Sequence, residues 1–370
     1  MAIKCASPII ASMSDKERQR RWKIALTIAT LGALFILAYA VRHQLVDTLH
    51  NFGKVNSWLV LLIVPLEALN HLSQAKLYQG LFRVLGERFR TRSMFKLSLE
   101  LNFVNSVFPS GGVSGFSYLS FRLRPEKVST AQATLVQMMR FVLIFVAFQI
   151  LLFVGLIALA IGDQANDVII LVASSLATLL LIGTMLLAFI IGSKKRIDEF
   201  FTFITKALNR LIHIVRPKHP ETININNARR TFSELHENYM HIRRNLSVLK
   251  KPLLFGLCAN ITEISALYVV YLAFGHYWIN PGAIILAYAV ANFAGLVSVL
   301  PGGVGIYEAL MLAVLAAGGV SPAISLPVTI MYRVVNMATQ LPPGYLFYQK
   351  ALHSQDIPDE KSDEAIKHDS

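Results

Sequence analysis

The sequence predicts an all-α polytopic membrane protein: about six full transmembrane helices, plus two broken re-entrant hairpins arranged as an inverted-topology repeat. Three observations carry this reading. The 370 residues are only 15% charged and 54% hydrophobic, with mean hydropathy +0.52, whereas globular chains carry about 25% charged residues. The uncharged runs are too long for a soluble core. Two Gly-Gly elements with a proline just before them, Pro109-Ser110-Gly111-Gly112-Val113-Ser114-Gly115 and Pro301-Gly302-Gly303-Val304-Gly305, interrupt apolar stretches in matching places.

The first span is Ile24–Val41, an 18-residue run without charge preceded by a basic cluster from Lys16 to Lys23. Ala38-Tyr39-Ala40 imitates a signal-peptidase site. The apolar run exceeds the usual signal core of about 7–15 residues, which favours an uncleaved anchor. Trp58–Phe82 is a second, more polar span holding Glu67, Asn70, His71, Gln74 and Lys76. Thr134–Gly162 is a third, interrupted by Arg140, and Val168–Gly192 a fourth. Leu253–Phe274 carries Glu263, and Ser321–Tyr348 carries Arg333. The two broken stretches are 94–120 and 281–319.

Charge sets the orientation. With the N-terminus inside, segments 1–23, 83–96, 121–127, 193–251 and 349–370 hold 30 of the 35 Lys and Arg, 13 of them in 193–251. Only Arg42 and Lys54 fall outside, and Lys76, Arg140 and Arg333 lie within spans. This is the bias of a cytoplasmic face, so the net charge of +13 does not point to nucleic acid. The expected location is the cytoplasmic (inner) membrane with both termini cytoplasmic. The expected organisation is a cytoplasmic N-terminus at 1–23, one transmembrane domain at 24–350 with a cytoplasmic insert at 193–251, and an acidic disordered tail at 351–370. Within the insert, apolar residues from Ile197 to Val215 recur at helical spacing among Lys and Arg. That pattern suits an amphipathic helix, on an anionic leaflet or beneath the bundle.

Topology separates the hairpins. If 94–120 crossed outward, Arg122, Arg124 and Lys127 would lie outside, against the charge rule. A re-entrant pair removes the conflict. Three crossings then intervene, so the second pair enters from the other face. Two short full crossings remain an alternative for 281–319. An intramembrane Arg follows each Gly-Gly element: Arg140 lies 28 residues after Gly112, and Arg333 lies 30 after Gly303. Matched interruptions in two halves point to a transporter's internal repeat.

Non-helical backbone at membrane depth survives only in a protein interior or a polar cavity. Gly permits such turns and Pro ends the incoming helix. The residues expected at a binding site are Arg140, Arg333, Gly111, Gly112, Gly302, Gly303, Asn105 and Asn336, with Asn102, Asn292 and Gln340 adding hydrogen-bonding capacity. Arg suits this place because its fork grips phosphate and stays charged when buried. Glu308, Glu263 and Glu100 are expected to couple or gate. The two cysteines, Cys5 and Cys258, suggest neither a disulfide framework nor a metal site. Neither a cofactor nor a catalytic constellation is expected, and the absence of a Walker A element excludes ATP as the direct energy source.

Leu300-Pro301-Gly302-Gly303-Val304-Gly305-Ile306-Tyr307-Glu308-Ala309 resembles the Pro-Gly-Gly-x-Gly-x-x-Glu-Ala signature of the lysylphosphatidylglycerol synthase transmembrane family. This is the flippase-like domain at the N-terminus of the multiple peptide resistance factor, found also as a stand-alone membrane protein. Residues 109–115 resemble the family's earlier Gly-Gly element. Where members often carry Glu-Arg and a nearby Asp, this chain reads Met138-Met139-Arg140-Phe141, so only Arg140 carries over. The resemblance covers most of residues 20–350. It implies translocation of a phosphate-bearing lipid, either a phospholipid or a polyprenyl-phosphate-linked one, without an aminoacyl-transferase domain. The expected partners are anionic or phosphate-bearing membrane lipids, with a cytosolic lipid- or glycan-synthesising enzyme and an oligomer both compatible. The competing functions are an integral-membrane enzyme acting on a lipid-linked substrate and a non-transporting scaffold for such a synthase.

Overall fold

A computed structural model describes residues 15–53, 55–108, 113–161, 166–193, 195–196, 199, 225–298 and 303–354. The expected amphipathic stripe at 197–215, the Gly-Gly positions Gly111, Gly112 and Gly302, and the tail beyond Ser354 lie outside the described residues. Every regular element among the described residues is a helix. Among the described residues, four helices are long and apolar enough to cross a membrane, or five if one bent pair counts as a span, in agreement with an all-α polytopic membrane protein.

The bent pair is α1 (Asp15–Ala40) and α2 (Arg42–Phe52), which turns by 55° at the junction. On the sequence reading the stretch after Val41 is a connection. It is helical because Val41, Gln44 and Thr48 recur at helical spacing and turn one face inward, with Val41 and Thr48 buried. A short helix α3 (Ser57–Leu61), capped by the Asn56 side chain, leads into α4 (Ile63–Val84).

The first broken stretch forms α5 (Thr91–Val107) and α6 (Val113–Leu123). The long helices α7 (Thr130–Ile161) and α8 (Asp167–Ile191) follow. Within the insert, α9 (Ile225–Arg244) packs against α7. The second broken stretch, between α10 (Lys250–Ala273) and the last helix, forms α11 (Pro281–Val297) and α12 (Ile306–Ala317). The chain then runs through α13 (Pro322–Ser354). At 33 residues, α13 is about 50 Å long, enough to cross. Its Arg333, Asn336 and Gln340 make it too polar to stand out by hydropathy.

The packing exchanges partners between halves. Each half runs long helix, two short helices, long helix: α4–α7, then α10–α13. The short helix α5 packs on α13 of the other half, and α11 packs on α7. Both crossings are close because glycine sits in them. A Cβ on Gly344 would lie 2.7 Å from the Phe103 Cβ, and one on Gly282 would lie 2.4 Å from the Gly155 carbonyl oxygen. Close backbone approach through small residues is how helices gain contact where lipid offers no hydrophobic drive. Two apolar cores result. One gathers Ile284, Met311 and Val328 with α7, α8 and α10, and the other gathers Leu97, Phe103 and Tyr348 with α4, α6 and α7.

Candidate functional site

A cavity of about 220 Å³ lies between the two cores. Its walls draw Tyr307 and Tyr332 from one core, and Met337 and Leu341 from the edge of the other. Asn102, Asn105 and Ser106 face it from α5, Asn292 from α11 and Glu263 from α10. Arg333, Asn336 and Gln340 project from α13 at spacings of three and four, hence from one helical face. Seven of the expected residues therefore meet at one place: Arg333, Asn336, Asn105 and Glu263, with Asn102, Asn292 and Gln340. The volume falls below the roughly 300–1,000 Å³ of sites for drug-sized ligands, so it matches a head group rather than a whole lipid.

Arg333 is 6% exposed and donates from Nη1 to Glu308 Oε1 at 2.6 Å. Its guanidinium lies 4.7 Å from the centre of the Tyr307 ring. An arginine at this depth needs a partner in the bundle, and the structure supplies Glu308. That carboxylate has its own reason to be there. It is the third residue of α12, and its Oε2 accepts the Gly305 N–H at 2.7 Å, closing the first turn. Gln44 of α2 donates to the same Oε1 at 2.8 Å. Gly303 and Gly305 have φ of +65° and +88°, the region in which glycine is at ease. Gly303 also abuts Gly295, whose Cα would lie 3.1 Å from an added Cβ.

Glu67, beyond the expected set, is fully enclosed beside the cavity. It accepts from Asn336 Nδ2 at 2.5 Å and from Gln340 Nε2 at 2.6 Å. Asn102 donates in turn to the Gln340 side-chain oxygen. Glu263 accepts the Tyr288 hydroxyl at 2.8 Å. These bonds offset the several kcal/mol that an unsatisfied polar group costs in an apolar interior.

Arg140 and Glu100 do not line the cavity. Arg140 donates to Gln74 Oε1 at 3.2 Å and stands 5.5 Å from the Tyr78 ring centre. Glu100 pairs with Arg122 at 2.9 Å and accepts the Tyr118 hydroxyl at 2.9 Å, so it ties α5 to α6. Lys76 reaches Thr91 Oγ1 at 3.0 Å. Among the described residues, no three His, Cys, Asp or Glu gather closely enough to hold a metal ion.

Two of the expected asparagines also stand in matching places in the two halves. Asn102-Phe103 precedes Gly111 by nine residues from the Asn, and Asn292-Phe293 precedes Gly302 by ten. The paired asparagines mark the cavity wall in both halves.

Residues 22–344 match the family model described as the lysylphosphatidylglycerol synthase TM region. A UPF0104 membrane protein of Methanothermobacter thermautotrophicus is 30% identical over 114 residues, which cover 29% of this chain and 32% of that protein. The match thus spans about a third of the relative's length. The family match runs through both Gly-Gly elements and every residue lining the cavity, and the chain belongs to the lysylphosphatidylglycerol synthase transmembrane-region family.

Proposed function

We propose that this membrane protein is a transporter, not an enzyme, and that it moves a phosphate-bearing lipid across the cytoplasmic membrane. The head group passes through the central cavity while its tails stay in the bilayer. The observation that carries this reading is a polar cavity sized for a head group, walled by α5, α10, α11 and α13 inside a bundle of membrane-length helices. Hydrophobic helices have no structural need for such a cavity, and polar groups at membrane depth mark substrate paths.

In this reading α5–α6 and α11–α12 are re-entrant pairs entering from opposite faces, with residues 193–251 and both termini cytoplasmic. The distribution of Lys and Arg supports the orientation. The exchanged packing of α5 on α13 and α11 on α7 supports an inverted repeat. Rocking one half against the other would open the cavity to each leaflet in turn. Arg333 in the cavity wall and Arg140 outside it are the cationic groups offered to a phosphate, and the turn at Gly303 offers backbone N–H groups. Asn105 and Asn336 orient the head group. Glu308 holds Arg333 between substrates and Glu263 faces the passing head group, while Glu100 stiffens the first pair.

Reconstitution of purified protein into liposomes tests the proposal. Fluorescent phosphatidylglycerol in the inner leaflet should become accessible to dithionite faster than in protein-free vesicles. Equal rates for all phosphate-bearing lipids tried, with and without protein, would refute it.

A further inference from the structure

Glu308 has Arg333 at 2.6 Å. Glu67 and Glu263 have no cation within ion-pair distance among the described residues. They face each other across the antiparallel helices α4 and α10. Asn70 of α4 donates to the Ala259 carbonyl at 2.8 Å, and Gly80 meets Pro252 further along. Carried one turn towards the start of α4, that register sets Glu67 opposite Glu263. A bridge from α13 joins them. Asn336 Nδ2 donates to Glu67 Oε1 at 2.5 Å and to the Tyr332 hydroxyl at 3.5 Å, and that hydroxyl is in hydrogen-bonding reach of Glu263.

The neighbouring helices do not supply the missing charge. On α5, Glu100 is matched by Arg122 at 2.9 Å. The helices α3 and α11 carry no charged side chain. On α4, His71 bonds Ser98 through Nδ1, and Lys76 bonds Thr91 more than two turns from Glu67. On α7, Arg140 bonds the Gln74 amide and acts on Glu263 only from a distance. With His71 neutral and every carboxylate ionised, Glu67, Glu263 and Glu308 outnumber Arg140 and Arg333 by one charge. A single proton on the Glu67–Glu263 pair restores the balance. One shared proton is what two facing carboxylates favour in a poorly solvated place.

The hydrogen bonds at Glu263 point to it as the carrier. The Tyr288 hydroxyl stands between two acceptors, Glu263 Oε2 at 2.8 Å and Asn260 Oδ1 at 3.5 Å, and it has one hydrogen. The chain of three closes when Glu263 is protonated: the carboxyl donates to the phenol oxygen and the phenol to the amide oxygen. Asn260 is 7% exposed, and its Nδ2 then has no acceptor. Turning that amide over serves the ionised form: Nδ2 donates to the phenol and the phenol to the carboxylate. The same three side chains therefore hold Glu263 in either state. Glu67 has no such choice, because two amide N–H groups, from Asn336 and Gln340, donate to it. Glu67 is also 3% exposed, whereas Glu263 opens onto the cavity.

We propose that Glu263 is a proton-binding group, held beside the fixed charge of Glu67, and that it exchanges its proton through the cavity each time the cavity opens. The coupling rests on the transport reading; the proton site stands on the geometry alone. Infrared titration of the purified full chain in lipid tests the site without any transport step. The carbonyl stretch of a protonated carboxyl, identified by its shift in D2O, should fade as pH rises and be missing from Glu263→Gln. Glu67→Gln removes the neighbouring negative charge, so the fading should move to lower pH by about one unit, a tenfold loss of proton affinity. Tyr288→Phe removes a donor to the ionised form, so the fading should move to higher pH by about as much. Melting temperatures identify any variant that misfolds. In liposomes, an imposed pH gradient should quicken the exposure of fluorescent phosphatidylglycerol several-fold with native protein and not with Glu263→Gln.

A native protein without a titrating carboxyl band, or a band that persists unchanged in folded Glu263→Gln, would overturn the proton site. A titration that neither Glu67→Gln nor Tyr288→Phe moves would overturn its construction from the facing carboxylate and the phenol. Translocation at one rate with and without the pH gradient would overturn the coupling. So would acceleration by a sodium gradient at equal pH, which would make the facing carboxylates a cation site instead. A titrating Glu263 in a protein that translocates no lipid tried would sink the transport reading and leave the proton site standing.

Discussion

Arg333 and Glu308 form a pair that can be taken apart one residue at a time. Arg333→Gln removes the cation from a carboxylate whose side chain is 10% exposed. Glu308 keeps the Gly305 N–H at 2.7 Å and the Gln44 amide at 2.8 Å, so it is not stripped of donors, but its charge stays buried. Breaking one partner of a buried pair costs about 3–5 kcal/mol. Glu308→Gln strands the Arg333 charge instead and should cost a similar amount, since the amide oxygen can still cap α12. The Arg333→Gln/Glu308→Gln double variant buries no unmatched charge. It should lose only about 1–3 kcal/mol, the scale of imperfect neutral hydrogen bonding. The coupling between the sites would then be several kcal/mol, above the usual range for neighbouring residues. Unfolding by SDS titration in mixed micelles, followed by tryptophan fluorescence, measures all four proteins. A double variant whose loss equals the sum of the two single losses would refute the pairing. A stable double variant that transports at the native rate would remove Arg333 from head-group recognition. Arg333→Lys adds a geometric test, because lysine keeps the charge and loses the planar fork.

Three further outcomes follow from the geometry. Gly303→Val should abolish function and lower folded yield, because φ of +65° and a Cβ 3.1 Å from Gly295 both oppose it, whereas Gly303→Asn should retain more folded protein on a size-exclusion trace. Gly282→Leu should prevent folding outright, as even a Cβ would lie 2.4 Å from the Gly155 carbonyl oxygen; a monodisperse, thermally stable variant would contradict the α7–α11 crossing. In a cysteine-free background, a cysteine at Asn227 should be labelled only after the membrane is permeabilised, while one at Trp278, 98% exposed, should react from outside; the opposite pattern would invert the orientation.

The long apolar helices and the breaks at both Gly-Gly elements are legible in the sequence because they are local, written in consecutive residues. Arg333, Asn336, Asn105 and Glu263 are legible for another reason: polarity at membrane depth is rare enough to attract notice singly. What the sequence hides is who meets whom. Glu67 and Asn336 are partners across 269 positions, and Gln44 and Glu308 across 264. No spacing rule joins residues so far apart. Arg140 and Arg333 follow their Gly-Gly elements at nearly equal intervals, yet one pairs with a carboxylate and the other with an amide. Periodicity places a residue along its helix, while its partners depend on which helix comes to lie beside it. The helix α2 is hidden for a different reason. It is short, mixed in composition and follows an anchor, so only its packing against α13 reveals its role.

The exchange of α5 onto α13 also bears on how the protein is made. Phe103 meets Gly344, about 240 residues later in the chain. At synthesis rates of about 5–20 residues per second, α5 is in or near the membrane for roughly 10–50 s before its partner exists. Throughout that interval Glu100, Asn102 and Asn105 must be kept from lipid by something other than α13. The first pair can lean on α4 and its own second arm, and Glu100 can already reach Arg122 and Tyr118. Asn102, whose acceptor is Gln340, has no such early partner. In the nascent first half Asn102 therefore waits for its acceptor until α13 has been made.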